Sequence, residues 1–147
     1  MAEETERLQT TELIAHIDGA SRGNPGPAAY AAVIEAPDGR RLTTIAEAIG
    51  PATNNIAEYR GLIAALEYAM AQGALRLRVL TDSELLAKQV KGIYRIKSPH
   101  LRPLHEHAMR LVAQLRSFSI EHVRREKNRE ADRMANMALD KTKPSVT

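Results

Sequence analysis

Four acidic residues sit in distinctive local motifs and have the chemistry to hold metal ions. Asp18 lies in IDGASRGNPGP, Glu58 in TNNIAEYRG, Asp82 in LTDSELL and Asp132 in NREADRMA. Carboxylate oxygens are the ligands that hard divalent cations such as Mg²⁺ and Mn²⁺ prefer. Two such ions about 4 Å apart would hold a phosphate diester between an attacking water and the leaving oxygen. This chemistry requires a fold that brings the four side chains together.

Each carboxylate also has an ordinary structural explanation. Glu58 and Asp82 fall in helix-capping patterns, Asp132 follows Asn128 in the first turn of a helix, and Asp18 precedes a glycine at a turn. For any one of these residues alone, capping or turn formation is the better explanation. The four together favour a metal site, because clustered like charges are costly and the motifs supply no obligatory cationic partner.

Sequence periodicity predicts the elements that must position these residues. Short apolar runs predict strands at 12–18, 29–36, 41–49, 75–80 and 118–123. Helical spacing of apolar residues predicts helices at about 56–70, 83–91, 104–115 and 129–140. The first three strands have short connections and form an antiparallel meander, whereas the last two follow helices and should run parallel to the first. The expected fold class is α/β, a five-stranded mixed sheet with helices on both faces.

The predicted topology places the four carboxylates at one end of the sheet. Asp18 ends the first strand and Asp82 ends the fourth, so parallel neighbours would bring these two side chains within a few ångströms of each other. Glu58 and Asp132 fall in the first turns of helices that start at the same end. We therefore expect the carboxylates to meet.

Composition limits the classes of protein to which the chain can belong. Its 147 residues suffice for one core of ordinary size, and we predict a single domain at 12–140, a flexible lead-in at 1–11 and a flexible tail at 141–147. The absence of cysteine excludes disulfides and thiolate zinc sites. No stretch is apolar enough to span a membrane, and the acidic N-terminus is unlike a targeting peptide. The cysteine-free composition fits a cytoplasmic protein, and a monomer is the default expectation for a chain of this size.

The charge and the aromatic content constrain how the chain could bind nucleic acid. A net charge of +3 permits such binding without requiring it. With no tryptophan and an aromatic content of 3%, the chain has little material for a base-stacking platform. Any nucleic acid is therefore expected to be bound through its backbone and its shape.

The four motifs, in this order and spacing, resemble type I ribonuclease H from about residue 12 to residue 140. The segments that carry the resemblance are DG-S-GNPGP-Y, TNN--AE, TDS and N-EAD--A. The resemblance implies the ribonuclease H-like fold and an endonuclease that cuts the RNA strand of RNA/DNA hybrids, leaving 5′-phosphate and 3′-hydroxyl ends. It assigns catalysis and the binding of two Mg²⁺ ions, which Mn²⁺ can replace, to Asp18, Glu58, Asp82 and Asp132.

The resemblance also implies contacts with the substrate. Small residues at Gly19 and Ser21 would let the RNA strand lie close to the backbone, and Thr53 matches a residue that holds a DNA-strand phosphate. The positions that match residues approaching the minor groove are Asn24, Asn54 and Asn55. The ordinary explanations are a turn-forming role for the first of these asparagines and a helix cap for the other two.

The chain departs from the family pattern before its last acidic residue. Many members carry a histidine in this loop, but the eight residues RREKNREA between Val123 and Asp132 contain none. We expect His122 to be packed within the last strand. The charged residues at 124–127 could replace the missing histidine, and the sequence does not choose among them.

A second departure lies after the fourth strand. The chain lacks the lysine- and tryptophan-rich handle of some members, although the basic residues between 88 and 102 could contact phosphates. Glu84 also stands where a neutral amide is common in the family, and a carboxylate there is expected to weaken hybrid binding or to alter the substrate preference.

Two other functions remain open from the sequence. A nuclease of the same fold could act on double-stranded RNA or on DNA junctions, because metal ligands do not distinguish these substrates. A non-catalytic hybrid-binding module would be expected to lack at least one of the four carboxylates, and this chain keeps all of them.

Overall fold

The structure is a computed structural model that describes residues 11–142 of the chain. In chain order the strands are β1 (Glu12–Ser21), β2 (Gly26–Glu35), β3 (Arg41–Ala52), β4 (Arg76–Thr81) and β5 (Ser117–His122). The helices are α1 (Asn54–Ala71), α2 (Glu84–Val90), α3 (Arg102–Val112) and α4 (Arg129–Asp140), with a 3₁₀ turn at Arg125–Lys127. The order of strands and helices is the one that the sequence predicts.

The described strands form one five-stranded sheet with the order β3-β2-β1-β4-β5. β1 pairs antiparallel with β2, and β2 pairs antiparallel with β3, which is the predicted meander. β4 runs parallel to β1, and β5 runs parallel to β4. The α/β fold class and the mixed sheet are therefore confirmed.

Alternation along the strands separates two packed faces. On β1, Leu13, Ala15 and Ile17 enter the main core, which α1, α2 and α3 cover. Ala29 of β2 belongs to a smaller cluster on the other face, where α4 contributes Ala138 and Leu139. Because successive side chains of a strand point to opposite faces, this division follows from the period of two in the apolar runs.

Strand ends differ from the prediction mainly around the proline-rich turns. β2 begins at Gly26 instead of residue 29, and β3 continues to Ala52 instead of ending at 49. The added residues pair with one another, with Pro27 opposite Pro51. Proline is tolerated at the end of a strand because a missing ladder hydrogen bond matters least there. The turn signals therefore led to strands that were predicted too short.

The predicted flexible ends lie mostly outside the described residues. Of the lead-in only Thr11 is described, and its carbonyl accepts hydrogen bonds from the amides of Leu75 and Arg76, both at 2.8 Å. Of the tail, Lys141 and Thr142 are described and donate backbone hydrogen bonds to the end of α4. Among the helices of residues 11–142, none has both the length and the hydropathy that a membrane span needs.

Candidate active site

The register of β1 and β4 brings Asp18 next to Asp82. Ile17 pairs with Thr81 in the parallel ladder, so the two aspartates are the next residues along neighbouring strands. Ser83 follows as the cap of α2, its hydroxyl accepting from the amide of Leu86 at 3.1 Å. Thus Asp82 lies between a strand end and a helix start and is not itself the cap.

Glu58 reaches the same place because α1 packs directly on β1. A Cβ built on Gly19 would lie 2.4 Å from the backbone nitrogen of Glu58, so only glycine allows this approach. The cap of α1 is Thr53, whose hydroxyl accepts from the amide of Ile56 at 3.2 Å. The carboxylate of Glu58 faces Ser83 of the next helix, which lowers the pKa of Glu58 against the larger effect of burial. The helix-capping explanation for Glu58 is therefore wrong.

Three carboxylates form a tight cluster. One ligand oxygen from each of Asp18, Glu58 and Asp82 lies within 4.8 Å of the other two. Asp18 is buried, with 4% of its surface exposed, and its Oδ2 has no hydrogen-bond partner. Burial, and then the charges of Asp82 and Asp132, raise the pKa of Asp18 to about 9. Burial also raises the pKa of Glu58 to about 7.

Asp132 approaches the cluster from the opposite face of the sheet. It lies in the first turn of α4, and its carboxyl group is close enough to Asp18 to help raise the pKa of that residue. Asn136, one turn later, donates to the backbone carbonyl and to the carboxylate of Asp132 at 2.9 and 3.3 Å. Asn128 precedes α4 but makes no side-chain cap; its amide donates to the carbonyl oxygen of Ile17 at 2.8 Å. The structure thus brings Asp18, Glu58 and Asp82 into one cluster and places Asp132 near Asp18, outside the group of oxygens that lie within 4.8 Å of one another.

The donor set fits a divalent cation of the Mg²⁺ type. The cluster contains only hard carboxylate oxygens, and one of them is buried without a partner. Carboxylates this close together are stabilised either by binding protons or by binding a cation. Without a cation, protons must be retained, and the pKa values of Asp18 and Glu58 are accordingly raised. Asp18, Glu58 and Asp82 would hold the ion, with Asp132 beside them.

One cationic side chain of the loop before α4 reaches the cluster. The Nε of Arg125 lies 3.9 Å from Oδ2 of Asp82, and the arginine side chain is 80% exposed. The geometry therefore singles out Arg125 among the charged residues at 124–127. His122 is exposed at the end of β5, so the expectation that it is packed is wrong.

The glycine-proline loop is tied to the segment before α1. The Oδ1 of Asn24 accepts from the backbone amide of Asn54 at 3.1 Å. The hydroxyl of Ser21 lies 2.9 Å from the carbonyl oxygen of Ala52 and also contacts the carbonyls of Gly23 and Gly26. These bonds hold two of the predicted substrate-binding segments side by side next to the carboxylates.

Asn55 hydrogen-bonds a buried polar pair formed by Tyr59 and Gln89. Its Nδ2 donates to Oε1 of Gln89 at 3.3 Å, and the hydroxyl of Tyr59 donates to the same oxygen at 3.0 Å. Asn55 and Gln89 line a groove of about 570 Å³ together with Tyr94 and Lys97. Exposed apolar side chains at the groove are Leu85 and Ile93.

Two contributors were missed from the sequence. Gln89 appeared only as one more residue of a short helix, and Asn128 only as a possible cap. Each is a polar side chain predicted within or next to an apolar helix face, and both are buried, at 6% and 1% exposure. That position is the signal that would have identified them, because a buried amide requires hydrogen-bond partners.

Comparison with known proteins decides the family. The reverse transcriptase-like family model matches residues 16–138. The N-terminal RNase H domain of Rv2228c from Mycobacterium tuberculosis superposes with a TM-score of 0.86 at 45% sequence identity, covering 89% of this chain and 95% of that one. The chain belongs to the type I ribonuclease H family.

Two further members of the ribonuclease H family are similar throughout. RNase H1 of Halobacterium salinarum has a TM-score of 0.86 and 44% identity, covering 89% of this chain and 99% of that one. LC11-RNase H1 from compost, solved in complex with an RNA/DNA hybrid, has a TM-score of 0.83 and 36% identity, covering 88% and 97%. The full-length curated relatives are longer, because the chain spans 36% of the mycobacterial bifunctional protein and 63% of the halobacterial ribonuclease HI.

Proposed function

We propose that this chain is a metal-dependent endonuclease that hydrolyses the RNA strand of RNA/DNA hybrids and leaves 5′-phosphate and 3′-hydroxyl ends. The observation that carries the proposal is the meeting of three carboxylates within 4.8 Å at the ends of the parallel strands. Membership of the ribonuclease H family supports it, as does the RNA/DNA hybrid bound by LC11-RNase H1. No cationic partner other than exposed Arg125 contacts the cluster among the described residues.

The proposed cofactor is a pair of Mg²⁺ ions, which Mn²⁺ can replace. Asp18, Glu58, Asp82 and Asp132 would hold them, and in nucleases two such ions activate water and stabilise the leaving oxygen. The protein contributes a preorganised cluster. Strand register fixes Asp18 and Asp82, the contact with Ser83 fixes Glu58, and the contact with Asn136 fixes Asp132.

The substrate contacts that we propose use the hydrogen-bonding capacity that remains after folding. Thr53 uses an oxygen lone pair to cap α1, so its hydroxyl hydrogen can be donated to a DNA-strand phosphate. Asn24 Oδ1 accepts a hydrogen bond from the backbone amide of Asn54, so the Nδ2 group of Asn24 can donate hydrogen bonds to the minor-groove acceptors of a base pair. Ser21 and Gly19 act by shaping the loop and the helix contact.

Arg125 is the residue that we propose in place of the missing loop histidine. A guanidinium cannot shuttle a proton at neutral pH, so its contribution is positive charge beside Asp82 and the phosphate. Glu84, expected to weaken hybrid binding, forms an ion pair with Lys88 at 2.6 Å. Its negative charge is therefore partly compensated within α2.

We further propose that the protein acts as a cytoplasmic monomer. A chain without cysteine suits a reducing compartment, and the described residues form one sheet with an apolar cluster on each face. Size-exclusion chromatography with light scattering tests the monomer. A stable dimer would contradict it.

The activity is tested with a panel of duplexes of the same sequence. An RNA/DNA hybrid, a double-stranded RNA and a DNA duplex, each labelled on both strands, are incubated with and without Mg²⁺ or Mn²⁺. We expect cutting of the RNA strand of the hybrid only, only with metal, and with 5′-phosphate ends that a ligase accepts. Preferential cutting of double-stranded RNA would favour the alternative nuclease, and binding of the hybrid without cutting would favour the non-catalytic module.

A further inference from the structure

Gln89 is a buried amide with no role in the proposed chemistry. It lies on the inner face of α2 with 6% of its surface exposed, between apolar neighbours of the main core. Its Oε1 receives two donors, the Tyr59 hydroxyl at 3.0 Å and Nδ2 of Asn55 at 3.3 Å. Both donors come from the same face of α1, because residues four apart in a helix are neighbours.

These two hydrogen bonds fix which way the Asn55 amide faces. Because the Tyr59 hydroxyl donates to Oε1 of Gln89, this oxygen is an acceptor and Asn55 must turn its NH₂ group toward it. The Oδ1 of Asn55 therefore faces away from Gln89 and is not used in this hydrogen bond. It is buried and has no hydrogen-bond partner among the described residues.

An unpartnered buried acceptor indicates a ligand that brings a donor. Leaving such an atom without a hydrogen bond is unfavourable. Because Asn55 lines the groove, a donor that enters it and reaches this oxygen would remove the penalty. The minor groove of a hybrid duplex offers two donors, the 2-amino group of guanine and the 2′-hydroxyl of the RNA strand.

We propose that Gln89 is a positioning residue that turns the Asn55 amide so that Oδ1 accepts a hydrogen bond from a minor-groove donor of the substrate. The proposal rests on the proposed function, since it names what one part of the site recognises. If Asn55 is held in this way, the rate of cleavage depends on one hydrogen-bond donor of the hybrid, at a fixed distance from the cut. An Asn55 amide free to turn would accept or donate and lose this selectivity.

The test replaces one donor at a time in the substrate. Hybrids carry inosine for guanine at successive positions, which removes the 2-amino group, or 2′-fluoro nucleotides at successive RNA positions away from the cut. The readout is kcat/KM of each modified hybrid divided by that of the unmodified one. For the unchanged protein we expect a loss of about threefold to tenfold at one position, the worth of a single hydrogen bond. The arm in which the loss appears identifies the donor.

Three variants separate positioning from simple packing. In Asn55→Ala the position-specific loss should vanish. The double variant Tyr59→Phe/Gln89→Met removes the Gln89 amide together with the Tyr59 hydroxyl, so no buried hydroxyl is left without a partner and the protein should fold. The kcat/KM ratio at the sensitive position should then approach one. Gln89→Glu keeps an acceptor for both donors and should retain the loss. A purely structural role would change the melting temperature of these variants but not the ratio.

Two results would overturn the inference. Either no modified hybrid is cut more slowly than the unmodified one, or the double variant shows the same position-specific loss as the unchanged protein. Failure of the proposed function gives a different result, because the unmodified hybrid would not be cut at all.

Discussion

The same strand, β4, carries two charged regions that are built in opposite ways. In its middle, Arg78 forms two hydrogen bonds to Glu121 of β5, at 3.0 and 3.2 Å, and both side chains are 46% exposed. Just past its end, Asp82 is 15% exposed and shares a cluster with Asp18 and Glu58. Opposite charges satisfy each other in the first region, whereas like charges converge in the second.

This difference shows what each region is for. An exposed pair such as Arg78–Glu121 contributes little to stability and leaves no charge to act on a ligand. The cluster destabilises the metal-free protein, because burial and repulsion hold the pKa of Asp18 near 9. A fold keeps such a cluster when a cation or a reaction makes use of it. A substitution in the cluster should therefore affect the reaction, whereas one in the Arg78–Glu121 pair should not.

The largest effect is expected from removing a ligand charge. Asp82→Asn should lower kcat for hybrid cleavage by on the order of 10³-fold or more, because the cluster loses a metal ligand while the strand end keeps its shape. Arg78→Ala removes a charge from the same strand and should leave cleavage within about twofold. Steady-state kinetics with Mg²⁺ compares the two. An equal loss of kcat in both variants would show that the cluster matters no more for cleavage than the Arg78–Glu121 pair.

The pH dependence of stability should follow the cluster. Asp18 has a pKa of about 9 in the folded protein against a reference value of 3.8. The folded protein binds this proton more tightly than the unfolded chain does, so protonation stabilises the fold. This stabilisation is fully present below the reference pKa and is lost as the pH rises through the pKa of the folded protein. The melting temperature without metal should therefore fall between about pH 5 and pH 9.

Two controls make the pH experiment specific to the cluster. Asp18→Asn should flatten the decline, and Mg²⁺ should raise the melting temperature most at high pH, where the carboxylates are ionised. Thermal unfolding followed by circular dichroism in chelator and in Mg²⁺ measures both. The same slope in the variant and the unchanged protein would contradict the origin that we assign to it.

A smaller effect is expected from disturbing the contact that brings Glu58 to the cluster. Gly19→Ala places a Cβ against the backbone of α1 and forces the helix away from β1. We expect a loss of about 1–3 kcal/mol in the free energy of unfolding, measured in urea, together with reduced cleavage. Unchanged stability and activity would show that α1 does not need this close approach.

The smallest effect is expected at Arg125, the one cation beside the cluster among residues 11–142. Arg125 is exposed and 3.9 Å from Asp82, so Arg125→Ala should slow cleavage by roughly tenfold at most, and Arg125→Lys should restore most of the rate. Lys127→Ala is the matched control in the same loop and should change little. A loss in the control equal to that of Arg125→Ala would assign the effect to general charge.

The sequence predicted which strand ends are neighbours better than it predicted where the strands begin and end. Asp18 and Asp82 could be placed together because strand periodicity and the parallel crossover rule determine which strand ends are neighbours. The ends of β2 and β3 could not, since Pro27 and Pro51 read as turn signals but pair within the sheet. Local patterns report chain direction and period, not the pairing that extends a strand beyond a proline.

The hydrogen bonds that hold the site together depend on contacts distant in the sequence. The bond from Asn128 to the carbonyl of Ile17 joins residues 111 positions apart, and that from Asn55 to Gln89 joins residues 34 apart. The choice of Arg125 among its charged neighbours likewise depends on where the 3₁₀ turn directs its side chain. Such contacts follow from tertiary packing, which spacing along the chain does not encode.

The most direct test of the central claim is to locate the metal. Crystals of the protein with a hybrid and Mn²⁺ would reveal the ion by its anomalous scattering. We predict a peak within coordinating distance of Asp18, Glu58 and Asp82, and its loss in Asp18→Asn crystals. An active protein with no Mn²⁺ at these carboxylates would contradict the account, because the convergence of like charges would then have no part in the reaction.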